Sequence, residues 1–205
     1  MAFYTKYIYP RIIDNILSTP EVMKYRKEVL KAVSGEVLEI GFGTGLNLTC
    51  YPSETKEITV IDTNAGMNSL AQKRVDKSNI KVHLKLLNAE ILPFESNTFD
   101  TVVSTFTLCS IDNVDAAIQE LYRVLKSDGK LIFLEHGLSA DTKISKLQNF
   151  INPFYRIPSD GCNLNRDIKD IIYKNGFNFE FIEQFYSKDM IKLAGYLYKG
   201  IAVKY

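Results

Sequence analysis

Histidine and cysteine are scarce in this chain of 205 residues, with two of the first and three of the second. Neither is spaced as a metal framework. Cys50, Cys109 and Cys162 lie far apart, there is no CxxC pair, and His83 and His136 stand alone, so no metal site is expected. Three scattered thiols also form no disulfide scaffold, which points to a reducing, cytoplasmic compartment. Charge of one sign is not in excess: 25 Lys and Arg face 24 Asp and Glu. That balance gives no reason to expect a nucleic-acid partner. No signal peptide and no apolar run of membrane-spanning length is visible. The aromatic, mildly basic start MAFYTKYIYPRII leaves contact with a membrane surface open, although a helix packed on the core is the expectation. Repeats and low-complexity linkers are lacking as well.

What is present is enough apolar material, 46% of residues, for the core of one domain over 1–205. Residues 12–33 read as helical, with Pro20 near the start of a second helix, so 1–34 is expected to form a helical cap. Strand-like and helix-like stretches then alternate over 35–137. The strands are EVLEI (36–40), EITVID (57–62), IKVHLKLL (80–87), FDTVVSTF (99–106) and KLIFLEH (130–136). Helical sequence is expected from about Leu46, over 65–76, and after a cap at Asp112 or Asn113, where Ala117, Ile118, Leu121, Tyr122 and Leu125 share a face. Such alternation is the signature of a parallel sheet with right-handed crossovers. Helices over about 142–151 and 166–174 occupy the segment 138–176, which is expected on the acceptor side, and Gly176 suits a helix stop. Two strand-like runs in 177–205 should close the sheet as an antiparallel edge hairpin. The expected fold is α/β, a Rossmann-like, doubly wound, mostly parallel seven-stranded sheet.

Between the first strand and the following helix stands EIGFGTG, residues 39–45. Glycine there permits positive φ and lets a ligand approach the backbone. Two cofactor classes use that geometry, dinucleotides and S-adenosylmethionine. A dinucleotide loop reads GxGxxG, but the sixth position here is Leu46; the pattern is ExGxGxG, with Glu39, Gly41, Gly43 and Gly45. No P-loop lysine follows. The second strand ends at Asp62, where a carboxylate can accept both hydrogen bonds of a ribose diol.

With these residues in view, the chain resembles the class I S-adenosylmethionine-dependent methyltransferases. VLEIGFGTG resembles their first motif, VIDTNAGMNSLAQKR the ribose-binding segment, LNAEILPFESNTFDTVVSTFTLCSI the adenine-binding and fourth-strand segment, and ELYRVLKSDGKLIFLEHG the fifth strand with its helix. The resemblance implies that Glu39 orders the methionine end of the cofactor, that Gly41, Gly43 and Gly45 face its methionine and ribose portions, and that Asp62 with Thr63 holds the ribose. It further implies Met67 beside the adenine, Asn88, Ala89 and Glu90 at the adenine rim, and Thr105 on the cofactor side of the fourth strand. GLNL, TLCSI, LEHG, GCNLNRDI and GYLYKGIA are similar to a set of small bacterial methyltransferases. That set also resembles quinone-biosynthesis, phosphatidylethanolamine N- and alkyl-thiol methyltransferases. The animal alkyl-thiol enzymes carry a hydrophobic N-terminal anchor with no counterpart in this sequence.

The implied activity is methyl transfer from S-adenosylmethionine, with S-adenosylhomocysteine as product, to a small lipid-like, quinone-like or thiol acceptor. An S-adenosylmethionine-binding regulatory or partner protein is the alternative. Neither the acceptor nor the oligomeric state is readable. A sulfonium methyl is already activated, so positioning carries most of the reaction. A base is needed only for the less acidic acceptors. His136, directly after the fifth strand, and Cys109, past the fourth, are the catalytic candidates. Glu135 is expected to ion-pair with Arg166 or His136. GCNLNRD (161–167) is expected to shape the acceptor pocket, with Asn165 or Asp167 as a helix cap. Tyr4, Tyr7 and Tyr9 could form a lid, and His83 reads as a surface residue.

Overall fold

The computed structural model describes residues 4–64 and 68–204. Val37–Ile40 (β1) and Phe99–Thr105 (β4) are buried almost throughout, as strands covered on both faces must be. They pair in parallel at the centre of a seven-stranded sheet. Glu57–Asp62 (β2) and Lys81–Leu86 (β3) extend it on one side. Leu125–His136 (β5) extends it on the other. The C-terminal strands Asn178–Tyr186 (β6) and Tyr196–Val203 (β7) complete the order β3-β2-β1-β4-β5-β7-β6. β7 lies antiparallel to both β5 and β6. The expected doubly wound sheet with an antiparallel edge is therefore the observed one.

Helices cover both faces. Pro20–Leu30 (α2) and Asn68–Val75 (α3), which follow Tyr9–Leu17 (α1) in the chain, place Val29, Leu30 and Ala71 in the core cluster on one face. Val114–Val124 (α4) and Ile168–Lys174 (α6) place Ile118, Leu121, Ile168 and Ile172 in the other, with Thr142–Tyr155 (α5) between them in sequence. The caps follow the local chemistry. Thr19 precedes Pro20, the Asn113 amide oxygen accepts from Ala116 N–H, and Asp167 accepts from Asp170 N–H.

One expected helix is missing. After the glycine loop the chain makes only a short 3-10 turn, Leu46–Thr49, before Pro52. A proline there disfavours helical backbone at the preceding residue and supplies no N–H. Between β3 and β4 the chain runs without a helix, so alternation is less regular than its sequence suggests. Because β1 is followed by β2 on one side and leads to β4 on the other, the order reverses between them. That switch point opens a crevice beyond the strand tips. No helix among the described residues is long and apolar enough to cross a membrane.

Packing at the C-terminal strands is tight enough to test. A Cβ on Gly200 of β7 would lie 2.6 Å from the Phe133 ring and from the Phe181 carbonyl oxygen. Gly200→Ala should therefore cost about 1–3 kcal/mol by overpacking. Urea denaturation checks this, and an unchanged midpoint would contradict the packing.

Candidate functional site

The crevice at the switch point is a cleft of about 310 Å³. Its floor is the glycine loop. Gly41, Gly43 and Gly45 have φ of 63°, 56° and 78°, a region that side chains rarely tolerate. The three glycines serve different ends. A Cβ on Gly41 would fall within 2.7 Å of the Thr107 side chain, so Gly41 permits close packing of the next loop. A Cβ on Gly43 would meet nothing nearer than the Gly41 carbonyl oxygen at 3.8 Å, leaving room for a ligand beside the backbone. Gly45 precedes the 3-10 turn, close to the Phe42 ring, and does not line the cleft, contrary to expectation.

Asp62, at the tip of β2, reaches back to this loop. Its carboxylate accepts from Gly43 N–H at 2.6 Å and from Asn64 N–H at 2.7 Å. Burial raises its pKa above the ordinary carboxylate value, while these hydrogen bonds oppose the rise. Thr63 N–H is a third backbone donor to this carboxylate, and since an ionised carboxylate has about four acceptor positions, some capacity is left for a ligand hydroxyl. Thr63 is exposed at the cleft edge.

Behind the loop lies a buried polar network. Glu39 accepts from Asn47 Nδ2 at 2.9 Å and from the Tyr51 hydroxyl at 2.6 Å. Arg26 of α2 donates to Asn47 Oδ1 and Thr105 Oγ1, both at 2.7 Å. Burial lifts Glu39 to about 7 and lowers Arg26 to about 10. Arg26 Nε is buried and has no hydrogen-bond partner among the described residues. Its guanidinium also lies 5.2 Å from the Phe106 ring centroid. Arg26 and Asn47 escaped sequence reasoning. The available signal was a charge on the buried stripe of α2 made by Val22, Arg26, Val29 and Leu30.

At the far end, Asn88, Ala89 and Glu90 line the cleft together with Ile61, Leu87 and Ile111. Asn88 Oδ1 is engaged by Glu90 N–H at 3.0 Å, and the Glu90 carboxylate accepts from Asn113 N–H at 3.1 Å. Glu90 thereby helps fix the start of α4. Met67, expected beside the adenine, lies outside the described residues.

Two segments cover the cleft. α1 is clipped to the glycine loop, because Asp14 accepts from Thr44 Oγ1 at 2.5 Å and pairs with Arg74 at 3.0 Å. Arg74 also donates to the Thr44 carbonyl oxygen at 2.8 Å. Tyr9 lines the cleft and its hydroxyl donates to the Ser159 carbonyl oxygen at 3.0 Å. Tyr4 packs on Tyr9 with centroids 6.1 Å apart, whereas Tyr7 is exposed and off the wall. From the other side Asp160 reaches the cleft and accepts from Asn64 Nδ2 at 3.2 Å. Among the described residues, Asp14, Glu39, Asp62, Glu90, Asp112 and Asp160 line the cleft against the single cation Arg26. That excess of carboxylates suits a positively charged ligand.

The two catalytic candidates are not on this wall. His136 is buried, its ring stacked on Phe106 at 6.4 Å, and its Nε2 lies 3.0 Å from Cys162 Sγ. Cys109 is buried beside them. Its thiol pKa is pushed well up by the neighbouring Cys162 and by burial. The ring of Phe106, which does line the cleft, stands next to His136, so the imidazole does not reach the open space. Nor does Glu135 pair with Arg166 or His136. It accepts from Ser104 Oγ at 2.7 Å and Thr107 N–H at 2.9 Å, while Arg166 donates to the Leu108 and Ile111 carbonyl oxygens. The GCNLNRD loop is mainly an anchor: Asn163 donates through N–H and Nδ2 to the Cys109 carbonyl oxygen, both at 2.8 Å. His83 is on the exposed edge strand and contacts Glu57, as its surface reading implied.

A family model described as a methyltransferase domain matches residues 38–133. The thiol S-methyltransferase of Rattus norvegicus is 33% identical over 149 residues, 69% of this chain and 61% of that protein. The ubiquinone/menaquinone biosynthesis C-methyltransferase of Haemophilus ducreyi is 32% identical over 143 residues, 67% of this chain and 55% of that protein. The chain thus spans between one half and two thirds of the length of these relatives. In fold it is similar to a Thermotoga maritima S-adenosylmethionine-dependent methyltransferase described as a possible histamine N-methyltransferase. The TM-score is 0.69 at 17% identity, over 100% of this chain and 99% of that one.

The buried carboxyl of Glu39 makes a pH prediction. Its value in the folded chain is about 7 against an ordinary 4.5, so between these the folded state holds a proton that the unfolded state has released. Stability from this group therefore falls as pH rises through that window. Glu39→Gln lacks the term, and its stability relative to wild type should rise with pH from about 4.5 to about 7. Urea denaturation at both ends of the window checks it, and a difference independent of pH would contradict the assignment.

Proposed function

Since the chain belongs to the class I S-adenosylmethionine-dependent methyltransferases, we propose that it transfers a methyl group from S-adenosylmethionine to a small, apolar acceptor of lipid-like, quinone-like or thiol character. The observation that carries this reading is the open space at Gly43 beside the Asp62 carboxylate. The cofactor supplies a sulfonium methyl that is already activated for in-line displacement. Asp62 holds the ribose with its remaining acceptor capacity. Arg26, with its unpartnered Nε, takes the methionine carboxylate, and Glu39 orders Asn47 and Tyr51 around that end. The carboxylate-rich wall offsets the positive sulfonium and ammonium groups. Ile61, Leu87 and Ile111 offer apolar contact for the adenine. Tyr9 and Asp160 close the mouth and exclude water.

A thiol of pKa about 8.5 needs little help to ionise near neutral pH, whereas a carbon acid needs a base. With His136 and Cys109 both off the cleft wall, the arrangement favours an acceptor that ionises readily. An apolar acceptor is supported by Tyr9, Ile13 and Leu17 of α1, which line the cleft, while Ile12 and Ile16 of α1 and Leu147, Phe150 and Phe154 of α5 are exposed. Contact with a membrane surface is compatible with these residues, and no nucleic-acid partner is invoked. The three unpaired thiols fit a cytoplasmic setting.

Calorimetry with S-adenosylmethionine tests the loop. Gly43→Val should fill the open space and abolish binding, and wild-type affinity in that variant would contradict the contact. Asp62→Ala should weaken binding by about 1.5–3 kcal/mol, the loss of a hydrogen bond to a charged group. A screen of thiols, quinones and phospholipids for release of S-adenosylhomocysteine tests the transfer itself. Tight cofactor binding without release on any acceptor class would instead fit a regulatory or partner protein.

A further inference from the structure

The fold gathers three side chains that the sequence keeps far apart. Cys109 comes from the turn after β4, His136 from the end of β5, and Cys162 from the loop between α5 and α6. One ligand atom from each, two sulfurs and an imidazole nitrogen, lie within 4.8 Å of one another. All three residues are buried, at 2%, 5% and 6% exposure. We propose that Cys109, His136 and Cys162 bind one zinc ion.

The distances fit such an ion. Zinc takes sulfur at about 2.3 Å and imidazole nitrogen at about 2.0–2.1 Å in a tetrahedron, which sets sulfurs about 3.8 Å apart and nitrogen about 3.6 Å from sulfur. His136 Nε2 and Cys162 Sγ are 3.0 Å apart and the three donors lie within 4.8 Å of one another, so shifts of about half an ångström to one ångström reach these separations. Two sulfurs and one nitrogen are a soft donor set that suits zinc, while the hard cations calcium and magnesium require oxygen. The charge also balances. Zn²⁺ displaces the protons of two thiols, both protons leave to solvent, and the resulting bis-thiolate unit is neutral, which a buried site tolerates. Nε2, the imidazole nitrogen that faces Cys162, is the one that would coordinate, while Nδ1 has no hydrogen-bond partner among the described residues.

The backbone around the cluster is already held without the thiols. Asn163 bonds the Cys109 carbonyl oxygen twice, Arg166 bonds those of Leu108 and Ile111, and Phe106 stacks on the imidazole. Three protein donors leave one coordination position for water. Bound there, zinc would fasten the loop that carries Ser159 and Asp160, and so the cover of the cleft, to the ends of β4 and β5.

The test uses the full chain, freed of metal and kept reduced. Calorimetric titration with zinc chloride and elemental analysis should give one zinc per chain and a raised thermal midpoint. Cobalt(II) in its place should show a thiolate-to-metal charge-transfer band and tetrahedral visible bands. Cys109→Ser, Cys162→Ser and His136→Ala should each weaken zinc binding by more than about 10-fold, whereas Cys50→Ser, away from the cluster, should keep one equivalent. Should the ligand variants fail to fold, the wild-type cobalt spectrum decides. No stoichiometric zinc uptake, no thiolate band, uptake undiminished in a folded Cys162→Ser, or a Cys109–Cys162 disulfide that persists under reductant would each overturn the proposal.

Discussion

The hydrogen bond from Gly43 N–H to the Asp62 carboxylate is the constraint on which the cleft depends. The glycine loop has three residues in left-handed backbone, and such a segment has no secondary structure of its own to hold it. Asp62 holds it from the neighbouring strand. The register of β1 on β2 sets Ile40 opposite Ile61, which brings the carboxylate level with the loop. Burial opposes ionisation of Asp62, and the N–H donors of Gly43 and Asn64 oppose that penalty in turn. The carboxylate is thus held in place before any ligand arrives, with acceptor capacity left over.

The same logic governs the second buried charge. Arg26 and Glu39 do not pair directly among the described residues; Asn47 stands between them, accepting a hydrogen bond from the guanidinium and donating one to the carboxylate. An intervening amide keeps both ions satisfied without consuming either in a closed ion pair. The guanidinium Nε has no hydrogen-bond partner among the described residues. A fully paired Arg26 would have filled its capacity within the protein and left nothing for a ligand carboxylate.

Much of this was legible in the sequence, and the reason is locality. β1, β2, β4 and β5 were read from apolar runs, and Gly43 and Asp62 from their places at strand tips, because strand burial and loop chemistry are written in adjacent residues. The residues that were missed act across the chain. Arg26 meets Thr105 from 79 residues away, and Asp14 meets Arg74 from 60. The helix expected after Leu46 failed for a local reason that was visible, Pro52, but outweighed by the fold pattern. His136 and Cys109 were placed correctly at strand ends. Their side chains turn to each other and to Cys162 instead of to the cleft, and that choice is made by the 161–165 loop, whose course no periodicity records. Spacing along the sequence did not foresee the cluster of Cys109, His136 and Cys162 either, since three side chains from separate segments need no sequence motif to meet.

The loop between α5 and α6 therefore works at two places at once. Ser159 and Asp160 face the cleft mouth, where they meet Tyr9 and Asn64. Two residues on, Cys162 enters the thiol–imidazole cluster, and Asn163 grips the turn after β4. Movement of the loop at one place must be felt at the other, because Gly161 is the only residue between Asp160 and Cys162. On the opposite side α1 is held by Asp14 to Thr44, which is part of the glycine loop itself. The cover thus consists of two pieces with different attachments, one to the cofactor loop and one to the ends of β4 and β5. An acceptor that enters between them would meet Tyr9 on one side and Asp160 on the other.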